Sequence, residues 1–427
     1  MELTRRQLLT GAGVTALALG GFRAAEAAES VLVYDTATWP FYPEVVNPAF
    51  TQKTGVGVDY KKNSFFGFHD ALATELVGGN TQIDVTYTFG AWTKEFERYL
   101  LPLEEVGGKE AVRRVEDEHF AYALDAVSAS GIVYGVPRLE FLMLCFWHAD
   151  LLKQAGFDGE KGPRDYKEFV TMVQALKKGR QYGFANQWKS GAISRQYLIW
   201  LHLNGGTLYD KDGYVITDSP QGIAACQDMV DLAGSGAMHP QSLQTTSFAD
   251  VNRLFAQGEA AIIFNFQGAY QYATDPKTSS MPGDVRVGII PPKVTSGSVD
   301  AADGYALLRS SRRKKAAYDW LSFALSPEMQ KVHFLKYGTF PSIKSVYRDP
   351  EVQKSVHGPV IDVMMEQLKY DARRYTRPAY QAIFNLMDAE LTLAVTRQKS
   401  AAEAMKAIAQ QSRSIVDQES PRWRPRG

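Results

Sequence analysis

The stretch Ile83-Asp84-Val85-Thr86-Tyr87 is rich in β-branched and aromatic residues and follows a helical pattern, and that alternation sets the fold class. Working outward, Val31-Leu32-Val33-Tyr34 reads as a first strand and Val56-Gly57-Val58-Asp59-Tyr60 as a second, which makes Ile83 to Tyr87 the third. Between the second and third, His69 to Val77 carries Leu72 and Leu76 at helical spacing, and Gly78-Gly79 stops it. These are β-α-β units, so the chain is expected to be α/β.

Further helices are marked by their caps. Asp165 with Glu168 three residues on is a capping-box pattern, and Tyr166, Phe169, Val170, Val173 and Leu176 then fall on one face. Ser326-Pro327-Glu328 places a serine cap before a first-turn proline, preceded by an apolar stripe of Ala316, Ala317, Trp320, Leu321 and Ala324. Leu142 to Trp147 reads as a buried strand containing Cys145, whereas Cys226 lies in a helical pattern; two separate core thiols are expected. Trp147, Trp200 and Trp320 also read as core.

Arg5-Arg6 precedes a weakly apolar run from Leu8 to Gly21 and the small residues Ala24-Ala25-Glu26-Ala27-Ala28, so residues 1–27 resemble a twin-arginine export signal with a cleavage site. The run is about 14 residues, short of the roughly 20 that span a bilayer, and no cysteine follows it to take a lipid anchor. A protein free in the periplasm, or secreted, is expected. The remaining chain of about 400 residues exceeds what one hydrophobic core organises, so two lobes are expected. Basic and acidic side chains number 47 each, which gives no long-range field for nucleic acid or anionic membrane.

Signatures of catalysis and metal binding are missing from the sequence. The seven histidines include no i, i+4 pair, and no CxxC, phosphate-binding glycine loop or Gly-x-Ser-x-Gly elbow occurs. No cofactor, metal or catalytic residue is expected; a carboxylate-driven carbohydrate-active enzyme is the rival from another class.

The order of segments resembles the family-1 extracellular solute-binding proteins, the sugar-binding subunits of ABC importers. The resemblance is carried by Ile83-Asp84-Val85 with Trp92, Phe96, Leu100, Pro102 and Leu103, and by Tyr134-Gly135-Val136-Pro137 leading to Asp150-Leu151-Leu152. It continues through Asn204-Gly205-Gly206, Thr217-Asp218-Ser219-Pro220, Phe255-Ala256-Gln257-Gly258-Glu259-Ala260-Ala261, Ser326-Pro327-Glu328 and Gly338-Thr339-Phe340-Pro341. It departs at Trp147-His148 and Asp303-Gly304, where that family often has Tyr-Asn and Gly-Gly. The resemblance implies a two-lobed periplasmic-binding-protein fold of type II, each lobe a mixed or parallel sheet flanked by helices, with the ligand cleft at the hinge. It implies one lobe from 28–138 plus 293–348 and a second from 139–292 plus 349–427. It further implies a protein that binds a monosaccharide, oligosaccharide or polyol and delivers it to ABC permease subunits, a shuttle role that a monomer suits.

A sugar shows apolar C–H faces and a rim of hydroxyls, so its site needs flat rings combined with directional polar groups. In open α/β sheets that site lies beyond the carboxyl ends of the strands. The candidate rings there are Trp39, Phe41, Phe89, Trp92, Trp188 and Tyr380. The polar candidates are Asp35, Arg138, Glu140, Asn186, Gln187, Asn265, Gln267, Asp303 and Arg374; the resemblance puts ligand contacts at Glu140, Asn265 and Gln267. Each has a plainer reading, as packed ring or turn former. Arg138 and Arg374 also suit a phosphorylated polyol.

Overall fold

A computed structural model describes residues 30–36, 40–79, 81–299, 302–370 and 379–419, and leaves aside the side chains of Phe65, Phe66, Glu140 and Glu419. The export signal expected in residues 1–27 lies outside the described residues. The strands are β1 (Ser30–Thr36), β2 (Gly57–Asn63), β3 (Val85–Thr88), β4 (Ser128–Ala129), β5 (Ile132–Val133), β6 (Gly135–Glu140), β7 (Met143–His148), β8 (Tyr182–Ala185), β9 (Ala260–Phe266), β10 (Val285–Gly288), β11 (Asp303–Leu307) and β12 (Phe340–Pro341).

They build two main sheets. The first has the order β12-β6-β11-β3-β1-β2 and the second β10-β7-β9-β8, with β4 and β5 as a separate hairpin. In the first sheet β1 runs parallel to both β2 and β3, because helices Asn47–Thr54 and Phe65–Val77 return the chain between them. β11 enters antiparallel between β3 and β6, bringing a late segment into an early sheet. In the second sheet β8 and β9 are parallel, and β7 is antiparallel to β9 and β10. The chain passes between sheets from β6 to β7, from β10 back to β11, and again after β12. These crossings give the two-lobed periplasmic-binding-protein architecture, in which segments at the crossings serve as hinges.

The local sequence explains the elements. The Phe65–Val77 helix starts after Ser64, whose side chain accepts from Gly67 N, so it begins four residues before the His69 at which the sequence pattern places it. Asp165 caps Tyr166–Ala175 by accepting from Glu168 N at 2.8 Å. The reciprocal arm differs from the capping-box expectation: the Glu168 carboxylate takes Arg164 N at 2.7 Å and the Arg164 guanidinium, one residue before the cap. Ser326 caps Pro327–Tyr337 as its sequence predicts. All six residues of β7 are buried, and Cys145 and Cys226 are separate buried thiols. Trp200 and Trp320 are fully buried, and Trp320 donates its indole N–H to Asn47. Trp147 is buried and donates to Gly159 O at 2.7 Å.

Candidate ligand-binding cleft

A cleft of about 590 Å³ opens between the two sheets, within the usual size of small-molecule sites. Its first wall is Thr36 at the carboxyl end of β1, Tyr87 in β3, Arg138 in β6 and Asp303 in β11, continued by Tyr337 to Phe340. The opposite wall comes from the second sheet and the Phe248–Ala256 helix: Phe248, Asn252, Asn265, Phe266 and Gln267, with Arg195 nearby. Phe141 stands where β6 passes into β7. Strand ends and a chain crossing therefore meet at one crevice.

The floor of the first wall is a buried ion cluster. Arg138 forks onto Asp303, Nε to Oδ1 at 3.0 Å and Nη2 to Oδ2 at 2.6 Å. Its Nη1 reaches Asp35 Oδ2 at 3.1 Å and the Tyr305 hydroxyl at 3.0 Å. Asp35 also accepts from Tyr305 at 2.6 Å, from the Tyr60 hydroxyl and from Thr36 N at 2.7 Å. The rings of Tyr42, Tyr87 and Tyr305 lie 5.4, 5.0 and 4.9 Å from the guanidinium. Burial opposes the Arg138 charge, but Asp303, Tyr305 and Asp35 outweigh it and hold the guanidinium above its ordinary pKa. Burial raises the Asp303 carboxyl, a rise that Arg138 holds in check. Burial, with Asp35 close by, likewise raises the Tyr305 and Tyr60 phenols. The cluster spends its polar capacity internally, so Asp35, Arg138 and Asp303 fix three strands of the first sheet against one another.

On the second wall the polar groups are amides. Asn265 donates from Nδ2 to Asn252 Oδ1 at 2.7 Å and to Phe248 O at 3.2 Å, and accepts from Phe266 N at 2.9 Å. Gln267 accepts from Leu142 N at 2.9 Å, tying the end of β9 to the crossing. Gln187 approaches Asn265 Oδ1 at 3.5 Å and accepts from Gln196 at 2.8 Å, so it stands behind Asn265 and away from the lining. Asn186 is likewise fully buried behind the cleft, its side chain turned to Gln187 N.

The structure divides the candidate residues. Arg138, Asp303, Asn265 and Gln267 meet at the cleft, with Asp35 directly beneath. The rings do not join them. Phe41 is buried and stacks on His333 at 4.1 Å. Phe89 and Trp92 pack on each other at 4.5 Å, Trp92 stacks on Phe68, and Phe89 meets Tyr380, itself stacked on Phe384. Trp188 is enclosed edge-on against Trp200 at 5.2 Å. Trp39 and Arg374 lie outside the described residues, as does the Glu140 side chain. Among the described residues the rings that line the cleft are instead Tyr87, Phe141, Phe248, Phe266, Tyr337 and Phe340. The sequence reading missed Phe248 and Asn252; the signal that marks them is an aromatic and an amide four apart, off the buried stripe of Val251, Leu254 and Phe255.

A crevice between two α/β lobes, reached by three chain crossings and walled by rings and amides, defines a protein that encloses a small molecule between rigid bodies. The chain belongs to the bacterial extracellular solute-binding protein family, whose pattern matches residues 48–360. A probable amino-acid ABC transporter periplasmic-binding protein of Sinorhizobium fredii is 24% identical over 369 residues, 84% of this chain and 82% of the relative. Among solved structures, maltose-bound MalE3 of T. maritima superposes with a TM-score of 0.81 at 23% identity, over 91% of this chain and 100% of that one. An ABC transporter solute-binding protein of Agrobacterium radiobacter K84 in complex with ribitol gives 0.78 at 18% identity, over 91% and 98%.

Proposed function

We propose that this protein is the periplasmic binding component of an ABC importer, that it holds a carbohydrate or polyol between its lobes, and that it passes this solute unchanged to the permease. The observation that carries the reading is the lining of the cleft. Phe141, Phe248, Phe266 and Tyr337 alternate there with Asn252, Asn265 and Thr339, the mixture of ring faces and directional polar groups that a polyhydroxylated solute requires. The maltose and ribitol complexes of the structural neighbours support the same class. The lobes are taken as 28–138 plus 293–348 and 139–292 plus 349–427, the protein as a monomer, and export as twin-arginine dependent. Closure follows from contacts made by both walls to one solute, since only interactions absent from the open state shift the equilibrium.

The test is a thermal-shift panel of sugars, polyols and amino acids on the purified protein. A true solute at about 100 times its Kd adds roughly 2.7 kcal/mol of stability. A shift with amino acids alone, the class named for the Sinorhizobium relative, replaces the carbohydrate reading. Recovery of a chemically altered solute replaces the transport reading with the enzymatic one.

A further inference from the structure

Three phenylalanines, rings without a hydroxyl, meet on one side of the cleft. Phe266 ends β9, Phe248 opens the Phe248–Ala256 helix, and Phe141 stands at the crossing from β6 to β7. The Phe266 ring lies 4.7 Å from Phe248 and 5.7 Å from Phe141, so the three form one platform with Phe266 at its centre. All three line the cleft and stay partly exposed, whereas Phe264 of the same strand is fully buried. Arg195 braces Phe248, its guanidinium 4.9 Å from the ring and its charge answered by Asp388. Apolar surface kept open inside a site is matched by an apolar part of the ligand. The polar groups next to the platform are committed elsewhere. Asn265 donates to Asn252 Oδ1 and Phe248 O and accepts from Phe266 N. Gln267 gives its oxygen to Leu142 N, and Ser247 Oγ caps its helix by accepting from Asp250 N at 3.3 Å. Polar capacity remains at Asn252, Thr246 and Thr339, and Thr339 Oγ1 is buried with no hydrogen-bond partner among the described residues.

We propose that the solute is a glycoside with an aromatic aglycone, its sugar hydroxyls taken by Asn252, Thr246 and Thr339 and its aglycone lying on Phe266 between Phe141 and Phe248. A pyranose is a six-membered ring with the footprint of one phenyl ring, so a lone sugar covers one ring of the three. A second sugar would cover more, but its hydroxyls would face phenylalanine rings and committed amides, and a hydroxyl taken from water without a partner is costly. An aryl group leaves no hydroxyl unpaired and meets the platform in the offset or edge-on contacts that rings favour. The inference rests on the carbohydrate reading above and adds the apolar half of the solute to it.

Isothermal titration of the purified protein tests it, with the phenyl and methyl glycosides of glucose, galactose, mannose and xylose in both anomers, and with maltose and cellobiose. At least one phenyl glycoside is expected to bind at least about tenfold more tightly than its methyl counterpart, the effect of about two buried methylene groups, and more tightly than either disaccharide. Phe266→Ala removes the centre of the platform and is expected to bring that phenyl and methyl pair to within about threefold of each other. If Phe266→Ala does not fold, Phe248→Ala, in the first turn of its helix, reads the same ratio, and an unchanged ratio overturns the assignment. A disaccharide that binds more tightly than every phenyl glycoside makes the platform a second sugar subsite and overturns the inference. Phenyl and methyl glycosides that bind equally overturn it too, and leave the carbohydrate reading standing. Silence with every glycoside overturns the inference, and joined to a thermal shift for amino acids alone it removes the carbohydrate reading as well.

Discussion

Replacing Arg138 by alanine withdraws the cation shared by Asp35 and Asp303, which are 0% and 4% exposed. Two carboxylates then share a buried site with only hydroxyl and backbone donors, and breaking a buried ion pair by removing one partner costs about 3–5 kcal/mol. For a chain of this size the unfolding entropy is roughly 0.8 kcal/mol/K, so the expected loss in melting temperature is about 4–6 °C at pH 7. Arg138→Lys keeps the charge but not the fork onto Asp303, and falls between wild type and alanine. Without Arg138 the Asp303 carboxyl rises further above its unfolded pKa. The deficit is therefore largest at pH values above that raised pKa and shrinks as pH falls and the group takes up a proton. The combined variant Arg138→Met, Asp35→Asn, Asp303→Asn removes the charges together and is expected to recover much of the loss, since neutral replacements of whole buried clusters are tolerated. Calorimetry of the ligand-free protein reads each value. A single variant melting within about 1 °C of wild type, or a combined variant worse than Arg138→Ala, contradicts the view that this cluster is a coupled unit.

Acid should unfold the protein through its histidines. Burial holds His119 and His357 down to about 4 and His333 to about 2. Their contribution is fully present above the unfolded value of about 6.5 and is lost as pH falls from there towards 4, at about 1.4 kcal/mol per pH unit for each. Melting temperature measured from pH 7 to pH 4.5 is expected to fall steeply, and a flat profile contradicts the assignment. His69 works in the opposite sense: Glu95 raises it to about 9, so its contribution is present below pH 6.5 and fades as pH rises through 9. Gly183→Ala places a Cβ 1.9 Å from Val173 O, a backbone atom that cannot turn aside; a loss of about 3 kcal/mol or more in urea denaturation is expected, and a wild-type midpoint refutes this close approach of β8 to the Tyr166–Ala175 helix.

The alternation of strand and helix was legible because it is written locally. Val31 to Tyr34 and Ile83 to Tyr87 fall within or across the ends of β1 and β3, and Asp165 and Ser326 cap the helices they announce. The entry of β11 between β3 and β6 was not legible, because nothing in Asp303 to Leu307 records that its partners lie more than 160 residues earlier.

The site divides along the same line for a physical reason. Asn265 lies near the end of a strand that finishes at the crevice and Gln267 directly follows it, and the strand's direction alone carries them there. A ring after a strand end obeys no such rule, since whether it is covered depends on the helix that lies above it. Phe89 and Trp92 are covered by each other and by Phe68 and Tyr380, and Tyr380 comes from a helix nearly 300 residues away in sequence. Arg138 shows the converse. Its positive charge suggested a contact for an anionic solute, yet two acidic residues from β1 and β11 reach it first, and their placement is a property of the sheet. Where a side chain's partners arrive from distant strands, composition near that residue says what it can bind, and topology decides what it does bind.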